Sequence, residues 1–299
     1  MLRKLLDEHD VSTTALLANY WKSVARRKEN WDRICQQKGA RDKDLFKDDF
    51  MEYFIDEAVA AAGNERLDKK MWLPLATRSR FFRKTVSRHV KQGEAEQVII
   101  LGSGFDTLAV RKQKYTEAYG AKFFEIDKPN VLACKQAVYN NNHIHQNATY
   151  IPLDYVQADL RAELAKSGVD FSKPTLVLWE GNLFYLEKKD VIGVLKNLTS
   201  IFSKLVISFD YMHGVMQEKT TELDSAAKNQ ALQTTLTEFA RKKSPFKSFF
   251  EPAEMNALCE SLGLTFVERK TAAELAILYD VDTDPFYTAK PYSVSTFKK

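Results

Sequence analysis

The chain has 299 residues, 44% hydrophobic and 28% charged, with a formal net charge of +4. That length suits one large α/β domain carrying extra helices, and the charge is too small to imply a nucleic-acid partner. No apolar stretch approaches the length of a bilayer span, and Asp7, Glu8, His9 and Asp10 interrupt the N-terminal segment where a signal peptide keeps an apolar core. The expectation is a cytoplasmic protein with no membrane attachment. Cys35, Cys134 and Cys259 are odd in number, far apart and without C-x-x-C spacing, which predicts reduced thiols.

Residues 1 to 92 read as helical throughout, with "STTALLANYWKSVARR" and "DDFMEYFIDEAVAAAG" the clearest pieces, and are expected to form an N-terminal lid over a substrate. Their basic end, "RLDKKMWLPLATRSRFFRKTVSRHVK", sets nine basic residues against Asp68 alone. At helical spacing Arg80, Lys84, Arg88 and Lys91 share one face and Phe82, Val86 and Val90 another. That face is either a solvated flank or an anion-attracting rim.

From Val98 the character changes to alternation, and residues 93 to 299 read as the second unit. Strands are predicted at 98 to 101, "AKFFEID", "ATYIPLD", "PTLVLWEG" and "KLVISFDYM". Between them lie a helix from about 106, "KPNVLACKQAVYN" with Pro129 in its first turn, and "EKKDVIGVLKNLTSIF". This is a mostly parallel sheet with crossover helices on both faces. Beyond it, 215 to 250 is expected to carry a helical lid insertion, polar and helical over 215 to 243. A short helix "EPAEMNALCESLG" follows, and "LTFVERK" and "KPYSVSTF" complete seven strands.

The stretch "VIILGSGFDTLAVR" runs a buried strand into Gly102 and Gly104, a turn that lets bare backbone N–H groups approach a ligand. A dinucleotide fingerprint wants Gly or Ala where Thr107 stands, and Asp106 at the start of the helix would repel a pyrophosphate. The turn therefore favours a cofactor without phosphate, S-adenosyl-L-methionine over NAD. Ligands of an open parallel sheet bind beyond the carboxyl ends of the strands. There stand Asp127, 23 positions after Gly104, then Asp154 and Asp159 with Leu160, then Glu180, Gly181 and Asn182. Acids also simply cap helices, which is the plainer account of any one of them.

The segments "RSRFF", "GSGFDTLAVR", "FEIDKPNVLACK", "ADL" and "WEGNLFYL" together resemble the leucine carboxyl methyltransferase family of S-adenosylmethionine-dependent O-methyltransferases, and more closely its bacterial members of unassigned substrate. The resemblance implies a Rossmann-like class I methyltransferase fold. It implies that Arg78, Gly102 and Gly104 hold the methionine end of the cofactor, that Asp127 holds the ribose, and that Asp159 and Leu160 flank the adenine. Glu180 is the acid of "W-E-G", and Asp106 or Glu180 could answer the cofactor's ammonium. Arg80 competes with Arg78 for its role. Lys22, Phe105 and Leu108 stand where members often carry Arg, Leu and Arg.

The activity expected is methyl transfer to an oxygen, most directly a carboxylate, which is already ionised and needs no general base. The acceptor would be a small molecule or a protein C-terminus. Phenol or alcohol methylation is the alternative and would need a base, for which Tyr185 and His213 are the candidates; a third reading keeps cofactor binding without turnover. His143 and His145 form an H-x-H with no third ligand nearby and read as loop histidines. No metal is expected.

Overall fold

The computed structural model describes residues 2–9, 16, 19–20, 22–23, 48–57, 59–61, 72–213, 245–279 and 292–299. Its centre is a seven-stranded sheet in the order β3-β2-β1-β4-β5-β7-β6. The strands are β1 (Gln97–Leu101), β2 (Lys122–Asp127), β3 (Ala148–Pro152), β4 (Thr175–Trp179), β5 (Leu205–Met212), β6 (Thr265–Thr271) and β7 (Tyr292–Lys298). The first five are parallel, with Ile99 of β1 level with Phe124 of β2 and Val177 of β4. β7 runs antiparallel between β5 and β6.

Strands buried on both faces explain the apolar runs, because each face must meet its own layer. Val98, Ile100, Leu176 and Leu178 point into one core together with Phe81, Phe82, Val86 and Val90 of the long helix Trp72–Lys91. Ile99, Leu101, Val177 and Trp179 point into the other, against Leu160, Leu164, Val191, Leu195 and Met255. Among the described residues the helices include, in chain order, α1 (Leu2–Glu8), α2 (Trp72–Lys91), α3 (Leu108–Arg111), α4 (Gln113–Tyr119), α5 (Pro129–Asn141), α6 (Leu160–Lys166), α7 (Lys188–Ile201), α8 (Pro252–Ser261) and α9 (Ala272–Leu278).

Three expectations are corrected in detail. The segment read as continuous helix from Asp48 contains a 3-10 turn at Met51–Phe54 and an extended break at Ile55. The Asp48 carboxylate accepts the N–H groups of Phe50 (3.0 Å) and Met51 (3.2 Å), stabilising a turn in place of a helix start. The helix after the glycine turn is split into α3 and α4 at Lys112. Residues 245 to 250 run without helix; the rest of the expected lid insertion, 214 to 244, lies outside the described residues, as does Cys35. Helix α9, which opens on a capping box between Thr271 and Glu274, was not anticipated. Cys134 and Cys259 are free and buried, and burial pushes both thiols up, to about 11 and about 12.

Under the glycine turn, Lys135 of α5 and Glu125 of β2 form an ion pair with both side chains fully buried. Removing one partner of such a pair strands a charge, whereas removing both does not. Lys135→Met is therefore expected to lower the unfolding free energy by about 3–5 kcal/mol, and the double variant Glu125→Leu/Lys135→Met to recover most of it. Urea denaturation of the three proteins checks this; equal stability of wild type and Lys135→Met would show that the pair is not felt.

Candidate functional site

The carboxyl ends of β1, β2, β4 and β5 meet in a connected set of charged side chains. Gly102 and Gly104 both take positive φ, +66° and +49°, which a glycine adopts at no steric cost. A side chain at Gly102 would collide with the Asn182 amide, which donates to the Gly102 carbonyl at 2.6 Å. The glycine turn is thereby pinned to the end of β4. On its other side the Gly104 N–H donates to Asp127 at 2.6 Å, and Asp127 also accepts the Lys128 N–H at 2.7 Å. Burial raises the Asp127 pKa, and those two N–H donors hold it back.

Arg78 projects from α2 over the end of the sheet. Its Nε donates to Glu180 at 3.0 Å and its Nη1 to Asp210 at 3.1 Å. Asp210 is fully buried in β5 and uses its second oxygen to accept the Gly181 N–H at 2.6 Å. Gly181, at φ +73°, lies so close to Arg78 that a Cβ there would come within 3.0 Å of the guanidinium. Burial opposes the charge on Arg78, but Asp210 and Glu180 more than compensate, so the guanidinium stays ionised. Ser79 adds a hydroxyl donor to Glu180 at 2.7 Å.

Lys22, from the N-terminal segment, bridges Glu180 (3.7 Å) and Asp106 (3.4 Å). Burial works against ionisation of Asp106, yet Lys22, Arg111 and Lys135 bring its pKa down to about 2. Arg111 reaches Asp106 at 3.9 Å and Asp48 at 3.1 Å. Thr107, at the position where a dinucleotide fold wants Gly or Ala, donates its hydroxyl to Asp48 and accepts from Arg111 Nε at 3.0 Å. Its hydroxyl is therefore committed to this network.

Of the residues singled out from the sequence, Arg78, Gly102, Gly104, Asp106, Asp127 and Glu180 come together here. Arg78 and Arg80 are separated clearly: the Arg80 guanidinium lies 4.6 Å from the Tyr279 ring centroid, with Lys84 at 5.7 Å from the same ring, and Arg88 pairs with Glu268. The basic face of α2, read from the sequence as either a solvated flank or an anion-attracting rim, thus rests in part on Tyr279 and on β6. Asp159 caps α6, accepting the Ala162 N–H at 3.0 Å, and Leu160 is buried in the second core. Tyr185 packs on Phe184 and Phe246, and burial raises its pKa. His213 extends β5 in phase with Phe209 and Tyr211, on the sheet face opposite Asp210, and exchanges a 2.7 Å hydrogen bond with Ser293. His143 and His145 are exposed in the turn after α5.

Sequence reading missed Asp210, whose signal was a lone acid inside the apolar run "LVISFDYM", and Asp48 and Arg111, which only the fold brings in. It also passed over Tyr155, which ties the end of β3 to β4 by accepting the Trp179 indole N–H at 3.2 Å.

This seven-stranded architecture is that of the class I, Rossmann-like methyltransferases. The profile of the leucine carboxyl methyltransferase family matches residues 29–199. A candidate S-adenosyl-L-methionine-dependent methyltransferase of Streptomyces coelicolor is 28% identical over 217 residues, 67% of this chain and 71% of its own length. A similarly described protein of Mycobacterium tuberculosis is 37% identical over 113 residues, 36% of this chain and a third (33%) of the relative's length. Among solved structures, a DUF574-family protein from Streptomyces avermitilis superimposes with TM-score 0.64 at 14% identity, over 98% of this chain and 99% of that one. The structure of a candidate methyltransferase from Thermobifida fusca gives 0.55 at 16% identity, over 82% of this chain and 89% of that one. The chain belongs to the leucine carboxyl methyltransferase family.

Burial, with Arg269 adding repulsion, lowers the His213 pKa from 6.5 to about 4. The unfolded chain then binds more protons than the folded one between these values, so the contribution of neutral His213 is complete above about pH 6.5 and declines as pH falls toward 4. His213→Gln is expected to flatten the wild-type loss of stability over that window, read by thermal unfolding at half-unit pH steps. A variant whose curve parallels wild type would contradict the buried, neutral imidazole.

Proposed function

We propose that the protein transfers a methyl group from S-adenosylmethionine to a carboxylate oxygen, giving a methyl ester. The observation that carries this reading is that the ionisable side chains at the strand ends are spent on one another. Asp106 is held by Lys22 and Arg111, and Glu180 and Asp210 by Arg78. Burial raises the Tyr185 pKa, and His213 is a weak base on the other sheet face. Among the described residues no free base faces this cluster, and an ionised carboxylate asks for none, whereas a phenol with a pKa of about 10 does.

The cofactor's charges fit the donor set. Arg78 and Lys22 suit its carboxylate, Asp106 and Glu180 its ammonium, and Asp127 its ribose hydroxyls; the bare backbone at Gly102 and Gly104 leaves room for close approach. Asp159 and Leu160 are assigned to the adenine edge. When bound, S-adenosylmethionine supplies an electrophilic methyl on a sulfonium, whose transfer to an anion neutralises charge and is favoured by a dry site. The chain's part is to align that encounter and exclude water. Residues from the 1–92 segment, Lys22 and Arg78, already reach over the sheet, in keeping with a role in covering the acceptor. No helix among the described residues is long and apolar enough to cross a membrane. The acceptor is taken to be a small molecule or a protein C-terminus.

Two measurements test this. Asp127→Ala removes an acceptor of charge-assisted hydrogen bonds worth about 1.5–3 kcal/mol each, and should weaken S-adenosylmethionine binding on the order of a hundredfold in calorimetry. Unchanged affinity would remove Asp127 from the site. For the acceptor, lysate incubated with the protein and methyl-radiolabelled cofactor is treated with mild alkali. Ester label leaves as volatile methanol; a predominantly alkali-stable product would move the assignment to a phenol or alcohol.

A further inference from the structure

Beside Arg78, the ends of β4, β5 and β7 carry a wall of side chains that the cofactor assignment does not use. The 3-10 turn Leu183–Tyr185 leaves the end of β4. It opens at Asn182, whose amide is tied to the Gly102 carbonyl and whose own carbonyl accepts the Tyr185 N–H at 3.0 Å, so it adjoins the glycine turn. Residues 246 to 250 strap it to the end of β5. The Lys247 N–H donates to the Phe184 carbonyl at 2.7 Å, Ser248 Oγ to the Leu183 carbonyl at 3.1 Å, and the Phe250 N–H to the Met212 carbonyl at 2.9 Å. The strap sets the Phe246 ring centroid 4.8 Å from that of Phe184 and 5.5 Å from that of Tyr185. Tyr185 and Phe246 are half-buried, so part of each ring stays uncovered.

The other side of the wall comes from the β5–β7 pair. Met212 stands opposite Tyr292 and Asp210 opposite Val294, and residues two apart on a strand share a face. Met212 and Tyr292 therefore lie on the side of Asp210 and of the Arg78 bound to it, in the core against which Tyr185 and Phe246 also pack. Tyr292 is 7% exposed, and its enclosed hydroxyl makes no hydrogen bond among the described residues. Asp210 beside it already accepts from Gly181 and Arg78. Burial, and then the Asp210 charge, keep the phenol protonated, so it is a donor. A buried donor left without an acceptor costs free energy, which a ligand oxygen would remove.

In the sheet order β2-β1-β4-β5-β7 this wall adjoins Arg78 and the glycine turn on the side away from Asp127. We propose that it is the acceptor subsite, and that the acceptor is built on an aromatic ring or a similarly flat apolar body, which packs on Tyr185 and Phe246 while its reacting group accepts a hydrogen bond from the Tyr292 hydroxyl. That the reacting group is a carboxylate rests on the function proposed above; the apolar body rests on the wall itself. None of these side chains carries a formal charge, so a second charge on the acceptor would lose its hydration without gaining a counter-ion. A ring instead gains offset and edge contacts with two aromatic side chains. One carboxylate oxygen held by Tyr292 leaves the other to take the methyl.

The test is calorimetric titration of the full chain, saturated with S-adenosylhomocysteine, with phenylacetate, p-cresol and succinate. Phenylacetate is expected to bind saturably and about tenfold or more tightly than succinate. Phe246→Ala should weaken phenylacetate about tenfold, and Phe246→Leu, which keeps an apolar surface, by less. Tyr292→Phe keeps the ring that packs at the start of β7 and removes one charge-assisted hydrogen bond, so it too should weaken phenylacetate about tenfold. S-adenosylhomocysteine affinity, measured on each variant, should not move. Succinate bound as tightly as phenylacetate, no binding of either ring compound, full phenylacetate affinity in Phe246→Ala or Tyr292→Phe, or an equal loss of S-adenosylhomocysteine in those variants would overturn the subsite. Binding of p-cresol without phenylacetate would uphold the ring subsite and overturn the carboxylate, so the two readings fail separately. None of these readouts depends on methyl transfer.

Discussion

Arg78 has to be both ionised and dry, and much of the architecture around the site is arranged to satisfy that. Its guanidinium joins α2 to the ends of β4 and β5 through Glu180 and Asp210. Removing a guanidinium and two carboxylates from water costs several kcal/mol per ion, recovered only where the geometry is fixed. The fixing is visible in the parts that touch it. Asp210 is held in mid-strand by the sheet and accepts the Gly181 N–H, and Gly181 adopts a left-handed conformation that leaves room for the guanidinium. The apolar side of α2, with Phe82 and Val86 fully buried, sets the height at which Arg78 meets the strand ends.

From Arg78 the charges alternate outward, through Glu180 to Lys22, from Lys22 to Asp106, from Asp106 to Arg111 and on to Asp48. Such a chain is a poor source of net stability, since apolar residues of the same volume would do as well. Its use is electrostatic. Donors and acceptors whose orientation is already paid for need not reorganise when charge changes nearby. The Thr107 hydroxyl, tied between Asp48 and Arg111, shows the same economy at the glycine turn.

The parallel core was legible because strands buried on both faces must be written as short apolar runs, and the glycine turn because positive φ at Gly102 and Gly104 leaves few residue choices. The acids at strand ends were legible as a set but not in their individual uses. Asp159 serves as a helix cap, while Asp127 accepts from the glycine turn. The insertion of β7 between β5 and β6 could not be read, since it depends on pairing between segments about 80 residues apart, Asp210 with Val294 for example. Arg78 and Arg80 posed a similar difficulty. Two positions on a helix point to nearly opposite sides, so they cannot share a partner. Which of them faces the site depends on Tyr279, about 200 residues further on.

The charge asymmetry of the chain also takes a different meaning from the one its composition suggests. Residues 1 to 90 hold 19 Lys or Arg against 14 Asp or Glu, a bias that read alone points to an anionic partner. In the fold much of that bias is answered internally. Arg78 is neutralised by Glu180 and Asp210, Arg88 by Glu268 and Lys22 by Asp106 and Glu180, all acids from beyond residue 100. Arg80 and Lys84 rest on the face of Tyr279, where a cation is held by the ring quadrupole without a counter-ion. Among the described residues, Lys22 and Arg78 on one side and Asp106, Glu180 and Asp210 on the other are therefore two halves of one intramolecular interface.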